Sequence, residues 1–271
     1  MEPTSQNISY LVMDIETVPD GELIAKVQFP GEDISAREAV SQYQKTLMQA
    51  NGTDFVPVTF HLPICIVVAK VTRDYYLTDI AVLDQNEFRP ETITRDFWRG
   101  WEAYQQPTIV TFNGRSFDMP VLELAAFRYG ISLPKWFMET GKSFEKPRYR
   151  YNSRAHLDLH EMLTNFGSIR FNGGLDLAAS LLNKPGKMHV SGNMVQKLYD
   201  SNQSQEIANY CTCDVLDTYF VFLRSRVLVG DISFDQEQDI LHHAKTWASS
   251  RANENPGIAE YLTSWDRITS G

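Results

Sequence analysis

Two carboxylates set two residues apart at the end of an apolar run, Asp14 and Glu16 in SYLVMDIETVPD, are the first residues here that could do chemistry. Side chains alternate across a strand with period two, so both project from one face, one pleat apart. Placed so closely, they repel unless a cation lies between them, and hard oxygen ligands of this kind suit a divalent metal. Taken alone, the tripeptide reads as a strand that ends in a polar turn. Only partners elsewhere in the chain would make it a site.

Asp118 follows the apolar run PTIVTF and the turn Asn113-Gly114, just ahead of a helical pattern through Val121, Leu122, Leu124, Ala125 and Phe127. Alone it is a helix cap, worth about 1 kcal/mol. Tyr210 and Asp214 are four residues apart on an expected helix from Gln205 to Leu228, hence on one face of it. A carboxylate has poor propensity in mid-helix, so Asp214 beside an apolar stripe suggests function. Asp217 reads as a surface charge that supports the helix. The stretch KSFEKPRYRYNSR sets Lys142, Lys146, Arg148, Arg150 and Arg154 among Phe144, Tyr149 and Tyr151. It can grip phosphates and stack on bases, as single-stranded nucleic acid requires, or it can be a solvated loop.

The elements that must hold these residues follow from periodicity and turn signals. After the first strand and the Pro19-Asp20-Gly21 turn, residues 22–50 read as an amphipathic helical insertion between strands, with its function open. Leu62–Val71 and Tyr76–Leu83 read as an antiparallel hairpin, and residues 91–105 as a helix with a buried aromatic stripe. His61, just before the hairpin, is expected to be structural. PTIVTF is a buried strand; Ala155–Leu159 is a short one with His156 and Asp158 alternating along it, and Asp158 can equally cap the next helix. A Gly173-Gly174 turn leads into a helix to Leu182. Lys184-Pro185-Gly186-Lys187 and Gly192 mark a mobile loop, without a Walker A or dinucleotide fingerprint. The tail from about residue 231 reads as one or two further helices, with His242 and His243 on the surface. One elaborated domain over residues 1–271 is the expected organisation.

Composition bounds the partners. A net charge of −9 over 271 residues argues against broad electrostatic binding to nucleic acid, yet allows a grip on a few nucleotides at a metal site. The longest apolar run, Ile64–Ala69, is too short to span a bilayer, and MEPTSQNIS lacks the features of a secretory signal. Cys65, Cys211 and Cys213 form an odd, sparse set, and Cys211 and Cys213 lack a matching second pair for zinc. Reduced thiols in the cytoplasm are the natural reading.

In chain order, Asp14-x-Glu16, Asn113 to Asp118 and Tyr210-x-x-x-Asp214 resemble the three exonuclease motifs of the DEDD superfamily of 3′→5′ exonucleases. That superfamily has an α/β, RNase H-like fold: a mixed β-sheet flanked by α-helices. The position five before the last aspartate is Asn209, where one subclass has histidine, and Tyr210 places the sequence with the DEDDy subclass. DIETVPD, TFNGRSFDMPVL, RYNSRAHLDL, the PGK loop and NYCTCDVLDTYFVFLR are similar to stand-alone bacterial predicted exonucleases related to the proofreading domain of family-B DNA polymerases. There is no room for palm, fingers and thumb.

The resemblance implies hydrolysis of terminal phosphodiesters, most naturally at single-stranded DNA 3′ ends, with two Mg²⁺ or Mn²⁺ ions. By it, Asp14 bridges the metals, Glu16 and Asp214 hold the one that activates water, and Asp118 supports the second. Tyr210 orients the water, since a phenol of pKa about 10 is a poor base. Phe112, Asn113 and Phe117 flank Asp118; Asn113 and Phe117 are candidate contacts to the terminal nucleotide, with core packing preferred for Phe112. Lys146, Arg148 and Arg150 are candidate phosphate contacts. Replication or repair proteins are conceivable partners, a membrane is not, and the oligomeric state is open. An exoribonuclease, a non-cleaving module that binds nucleic-acid ends and a metal-binding structural protein are the rival readings; the intact set of five residues speaks against the second, and the third leaves Tyr210 and the basic-aromatic segment unexplained.

Overall fold

The computed structural model describes residues 8–85, 87, 89–186 and 192–270. Its β-branched runs form five strands: β1 (Ile8–Pro19), β2 (His61–Thr72), β3 (Leu77–Val82), β4 (Thr108–Thr111) and β5 (His156–Asp158). They assemble in the order β3-β2-β1-β4-β5. β2 pairs antiparallel with β1 and β3, while β4 pairs parallel with β1 and β5. Around the sheet lie α1 (Gly21–Gln28), α2 (Ala36–Asn51), α3 (Pro90–Ala103), α4 (Asp118–Arg128), α5 (Leu159–Leu163) and α6 (Gly174–Ser180). α7 (Gly192–Asp200), α8 (Ser204–Leu228), α9 (Phe234–Arg251) and α10 (Pro256–Ser270) complete the chain. This is the mixed sheet with flanking helices expected of an α/β, RNase H-like fold.

Period-two alternation along β1 divides the core. Leu11, Met13 and Ile15 join Ile66 and Val68 against Phe97, Trp98 and Trp101 of α3 and Val121 and Leu122 of α4. Val12, with Val67, Ala69 and Val71, faces Tyr210, Cys211, Val215 and Tyr219 of α8. Asp14 and Glu16 belong to that second face, so the strand's own pleat turns both carboxylates toward α8. β1 does not end before them. β2 stays paired opposite Asp14 and Glu16, through Val67 and Cys65, and carries the strand on to Pro19.

The insertion expected as one helical stretch over 22–50 is two helices. Pro30 and Gly31, the latter at φ 85, break it, and Ser35 restarts it with a capping box to Glu38. Asp20 caps α1 by accepting the Leu23 N–H at 3.0 Å, and its other oxygen takes the Arg128 guanidinium.

Asp217 is a correction. It is fully buried, because α10 folds back on α8 and the Tyr261 hydroxyl donates to its Oδ1 at 2.6 Å. The loop read as mobile starts from a fixed point: Lys184 is buried, its ammonium 3.9 Å from the Trp265 ring centroid and 4.8 Å from that of Phe220. Lys187 lies outside the described residues, and Gly192 opens α7. The α3 aromatics are buried and His242 and His243 are exposed, as the sequence suggests. Among the described residues no helix is long and apolar enough to cross a membrane.

Candidate active site

The geometry around Asp14 and Glu16 is set by where β4 stops. β4 pairs with β1 only at Tyr10–Val12, so beyond that point β1 has no strand neighbour on that side. Asp118, in the first turn of α4, fills the gap: its carboxylate accepts the backbone N–H of Ile15, between Asp14 and Glu16. Phe117 is the N-cap of α4 and makes no side-chain cap bond; the Asp118 carboxylate takes its own first-turn N–H as well as that of Ile15. From the other direction α8 brings Tyr210 and Asp214, one above the other, onto the same cavity.

A cavity of about 320 Å³ opens here, with Asp14, Glu16, Tyr210 and Asp214 in its wall. Burial first, then Asp118 and Asp214, holds the Asp14 carboxyl well above the ordinary range. Burial first, then Asp14 and Asp214, does the same to Glu16. Asp118 is pushed up to about 7, again mainly by burial. The described residues that line the cavity include no lysine or arginine. Half-buried and buried carboxylates, held above their ordinary range and with no cationic side chain among the described lining, are the donor set a divalent cation fits. One oxygen each of Asp14 and Glu16 and the Cys211 sulfur lie within 4.8 Å of one another. The Tyr210 phenol is driven above its ordinary value by burial and then by Asp214, Glu16 and Asp14, so it keeps its proton.

The far wall comes from α2, the segment that follows it and α7: Val40 and Gln44, then Phe55 and Val56, with Val195 and Gln196 on the other side. Phe55, His61 and Phe117 form an aromatic group, with Phe55 stacked on His61 at 5.6 Å and Phe117 edge-on to His61 at 5.4 Å. His61 Nε2 donates to the Val56 carbonyl at 3.1 Å, so Nδ1 accepts the Thr17 hydroxyl at 2.7 Å. Burial lowers its pKa, and the ring is neutral. Reading His61 as structural therefore captures its bonds and misses its place in the cavity wall.

The other expected contacts fall elsewhere. Asn113 sits at φ 66 in the turn before α4, its amide oxygen accepting the Ser116 hydroxyl at 2.7 Å. Phe112 packs against the α8-side core, as preferred from sequence. Lys146 pairs with Glu139 at 3.4 Å, Arg148 takes Glu123 with two bonds of 2.8 and 2.9 Å, and Arg150 takes Glu161 at 2.8 Å. None of the three lines the carboxylate cavity. Cys211 was missed as a site residue, although its position three before Asp214 on a helix was the signal for it.

A family described as predicted 3′–5′ exonucleases related to the exonuclease domain of PolB matches residues 53–265, well over half of the chain. The match begins after β1, so Asp14 and Glu16 lie outside it. A DNA polymerase of Archaeoglobus fulgidus is 23% identical over 159 residues, which cover 59% of this chain and 20% of the polymerase. The chain thus spans about a fifth of the length of the curated relative it matches.

Proposed function

Since the chain belongs to the family of predicted 3′–5′ exonucleases related to the exonuclease domain of PolB, we propose that it removes nucleotides from single-stranded DNA 3′ ends by metal-dependent hydrolysis of the DEDDy type. The observation that carries this reading is the convergence of Asp14, Glu16, Asp118 and Asp214, from three separate elements, beside a protonated Tyr210.

Asp14, Glu16 and Asp214 would hold Mg²⁺ or Mn²⁺, with Asp118 holding the second ion. Bound there, the cations supply Lewis-acid polarisation of the phosphate and lower the pKa of water. The chain's own residues do the rest. The Asp118 carboxylate faces its own N–H and that of Ile15, which ties the start of α4 to β1 beside Asp14. Tyr210, held protonated, gives its hydroxyl proton to Asp214, and would orient the attacking water by redirecting that hydrogen bond rather than by taking a proton from it. Phe117 and Phe55 offer ring faces on which a terminal base stacks, and stacking of this kind is worth about 1–3 kcal/mol per base. Asn113, outside the cavity wall and bound to Ser116, would meet the sugar of that nucleotide only by giving up that bond. Lys146, Arg148 and Arg150 touch phosphates further along the strand by exchanging their present carboxylates.

The test is a pair of 5′-labelled single strands, DNA and RNA, incubated with Mg²⁺ or Mn²⁺. A ladder of shortened DNA supports the reading, and a ladder on RNA alone reassigns the sugar. Full-length strands on every end structure, with metal bound, would leave a module that holds ends without cutting them.

A further inference from the structure

A site built for hard cations needs oxygen donors only, yet a thiol stands inside this one. Cys211 Sγ–H donates to the Asp14 carbonyl at 3.4 Å and to Asp14 Oδ2 at 3.6 Å. Its sulfur and one oxygen each of Asp14 and Glu16 all lie within 4.8 Å of one another. Two separate features of the fold put sulfur here. Cys211 follows Tyr210 and precedes Asp214 by three residues, which turns it to the β1-facing side of α8. Cys65 is directly opposite Glu16 in the β1–β2 register, so it shares Glu16's face of the sheet. Its thiol is within hydrogen-bonding reach of Cys211.

We propose that Asp14, Glu16 and Cys211 form a site for a soft divalent cation, zinc, that silences the enzyme by occupying the carboxylates its working cation needs. Donors around tetrahedral zinc, at bond lengths of about 2.0–2.3 Å, stand roughly 3.5 Å apart, so small side-chain rotations close the present spacing. Binding forms a sulfur–zinc bond, and the Cys211 proton leaves to solvent. Zinc outranks manganese at sites of mixed N, O and S donors, and magnesium has little use for sulfur. The same cluster thus holds a hard cation through oxygen and a soft one through oxygen and sulfur. If Cys211 were only a donor to Asp14, serine would serve as well, and that difference is measurable.

The silencing rests on the exonuclease reading, whereas the cation site does not, and the experiment separates the two. Metal-free protein is titrated with Cd²⁺ while the near-ultraviolet sulfur-to-cadmium charge-transfer band is followed, and Zn²⁺ is then added as competitor. Expected is a band that saturates at one equivalent, that zinc removes, and that survives Cys213→Ser. It should vanish in Cys211→Ser, and cadmium should bind Asp14→Asn at least ~10-fold more weakly. In the kinetic arm, Cys211→Ser should need at least ~10-fold more zinc than the parent to stop Mn²⁺-supported cutting. A parent without the band, or a Cys211→Ser protein that keeps it at unchanged affinity, overturns the site whether or not the chain cuts DNA. The band without any cutting upholds the site and defeats the exonuclease reading alone. Should Cys211→Ser fail to melt cooperatively, Asp14→Asn decides: unchanged cadmium affinity there overturns the proposal.

Discussion

The Asp158 carboxylate, at the end of β5, accepts the backbone N–H of Arg115 at 2.9 Å. The same carboxylate takes the N–H groups of Asn113 at 3.0 Å and of His160 and Glu161 at 2.9 and 3.2 Å. One buried side chain thus ties the turn before α4 to the start of α5. The turn is tight: a Cβ at Gly114 would stand 2.5 Å from Thr111 Cβ. Arg115 adds a second tie through Glu161 at 2.8 Å and the His156 carbonyl at 3.0 Å. Asp118 and Phe117 hang from that turn.

Asp158→Ala therefore removes the acceptor of four backbone donors without touching the cavity. Loss of a charged acceptor that leaves buried donors unmet costs about 2–4 kcal/mol, read as a lower urea midpoint at unchanged m. Because the turn sets Asp118, kcat should fall while KM moves little. A variant of parental stability and parental kcat would show the turn to be held by its other bonds.

Millimolar Mg²⁺ or Mn²⁺ should raise the melting temperature of the parent, since a ligand that binds only the folded state stabilises it by mass action. Asp14→Ala should abolish that rise and all hydrolysis. Without metal it should be as stable as the parent or more so, because it removes the Asp14 repulsion that adds to burial in holding Glu16 above its ordinary range. Thermal melts with and without metal check both halves, and an unfolded Asp14→Ala protein would mark a structural residue.

Much of this site was legible because it depends on local rules. Period two puts Asp14 and Glu16 on one face, and period 3.6 stacks Tyr210 on Asp214. What was not legible depends on packing between distant segments. Cys65 reaches Glu16 only through the β1–β2 register, which a sequence does not print. Asp217 is buried only because α10 returns to cover it. The helical insertion could be drawn, although its division at Pro30-Gly31 was overlooked, and its role as cavity wall needed the third dimension.

The metal-free protein should be more stable near about pH 6 than near about pH 8. Asp118 has a folded pKa of about 7 against an ordinary 3.8. A raised acid contributes stability that is complete below its unfolded pKa and is lost as pH rises through its folded one. Asp14 and Glu16 act in the same direction. His156 opposes them at lower pH: burial first, then Arg115, lowers it from 6.5 to about 3, so its contribution is present above the unfolded value and lost as pH falls toward about 3. Melts in chelator across this range should show a maximum on the acid side of neutrality, shallower in Asp118→Asn. A maximum above about pH 8 would contradict the burial of these carboxylates.

If Lys146, Arg148 and Arg150 track the strand, replacing all three with alanine should raise KM for long single strands and leave cutting of the shortest ones unchanged. Each already neutralises a carboxylate, so binding a phosphate releases fewer counterions than a free cation would. The salt slope should therefore become shallower by less than the ~0.7 per contact expected of single strands. Arg148 carries a structural share as well, because Glu123 also accepts the Trp136 Nε1–H at 2.7 Å. An unchanged KM at low salt would leave all three as structural ion pairs.

Asp217→Asn should exchange stability at low pH for stability at high pH. Burial raises the Asp217 carboxyl to about 8, and the Tyr261 bond only partly pulls it back. Its Oδ2 is buried with no hydrogen-bond partner among the described residues, so ionisation puts a charge there that only the Tyr261 bond and the Lys184 ammonium ease. Against an ordinary value of 3.8, the sign is that of Asp118: stability is complete in acid and is lost as pH rises through about 8. Asparagine keeps an acceptor for Tyr261 and cannot ionise. The variant should thus melt above the parent near about pH 9 and at or below it near about pH 5, with the two curves crossing between. Tyr261→Phe should steepen the parent's loss, since it removes the donor that eases the charge. Parallel melting curves for parent and Asp217→Asn across that range would mean that Asp217 is charged and matched in the folded protein.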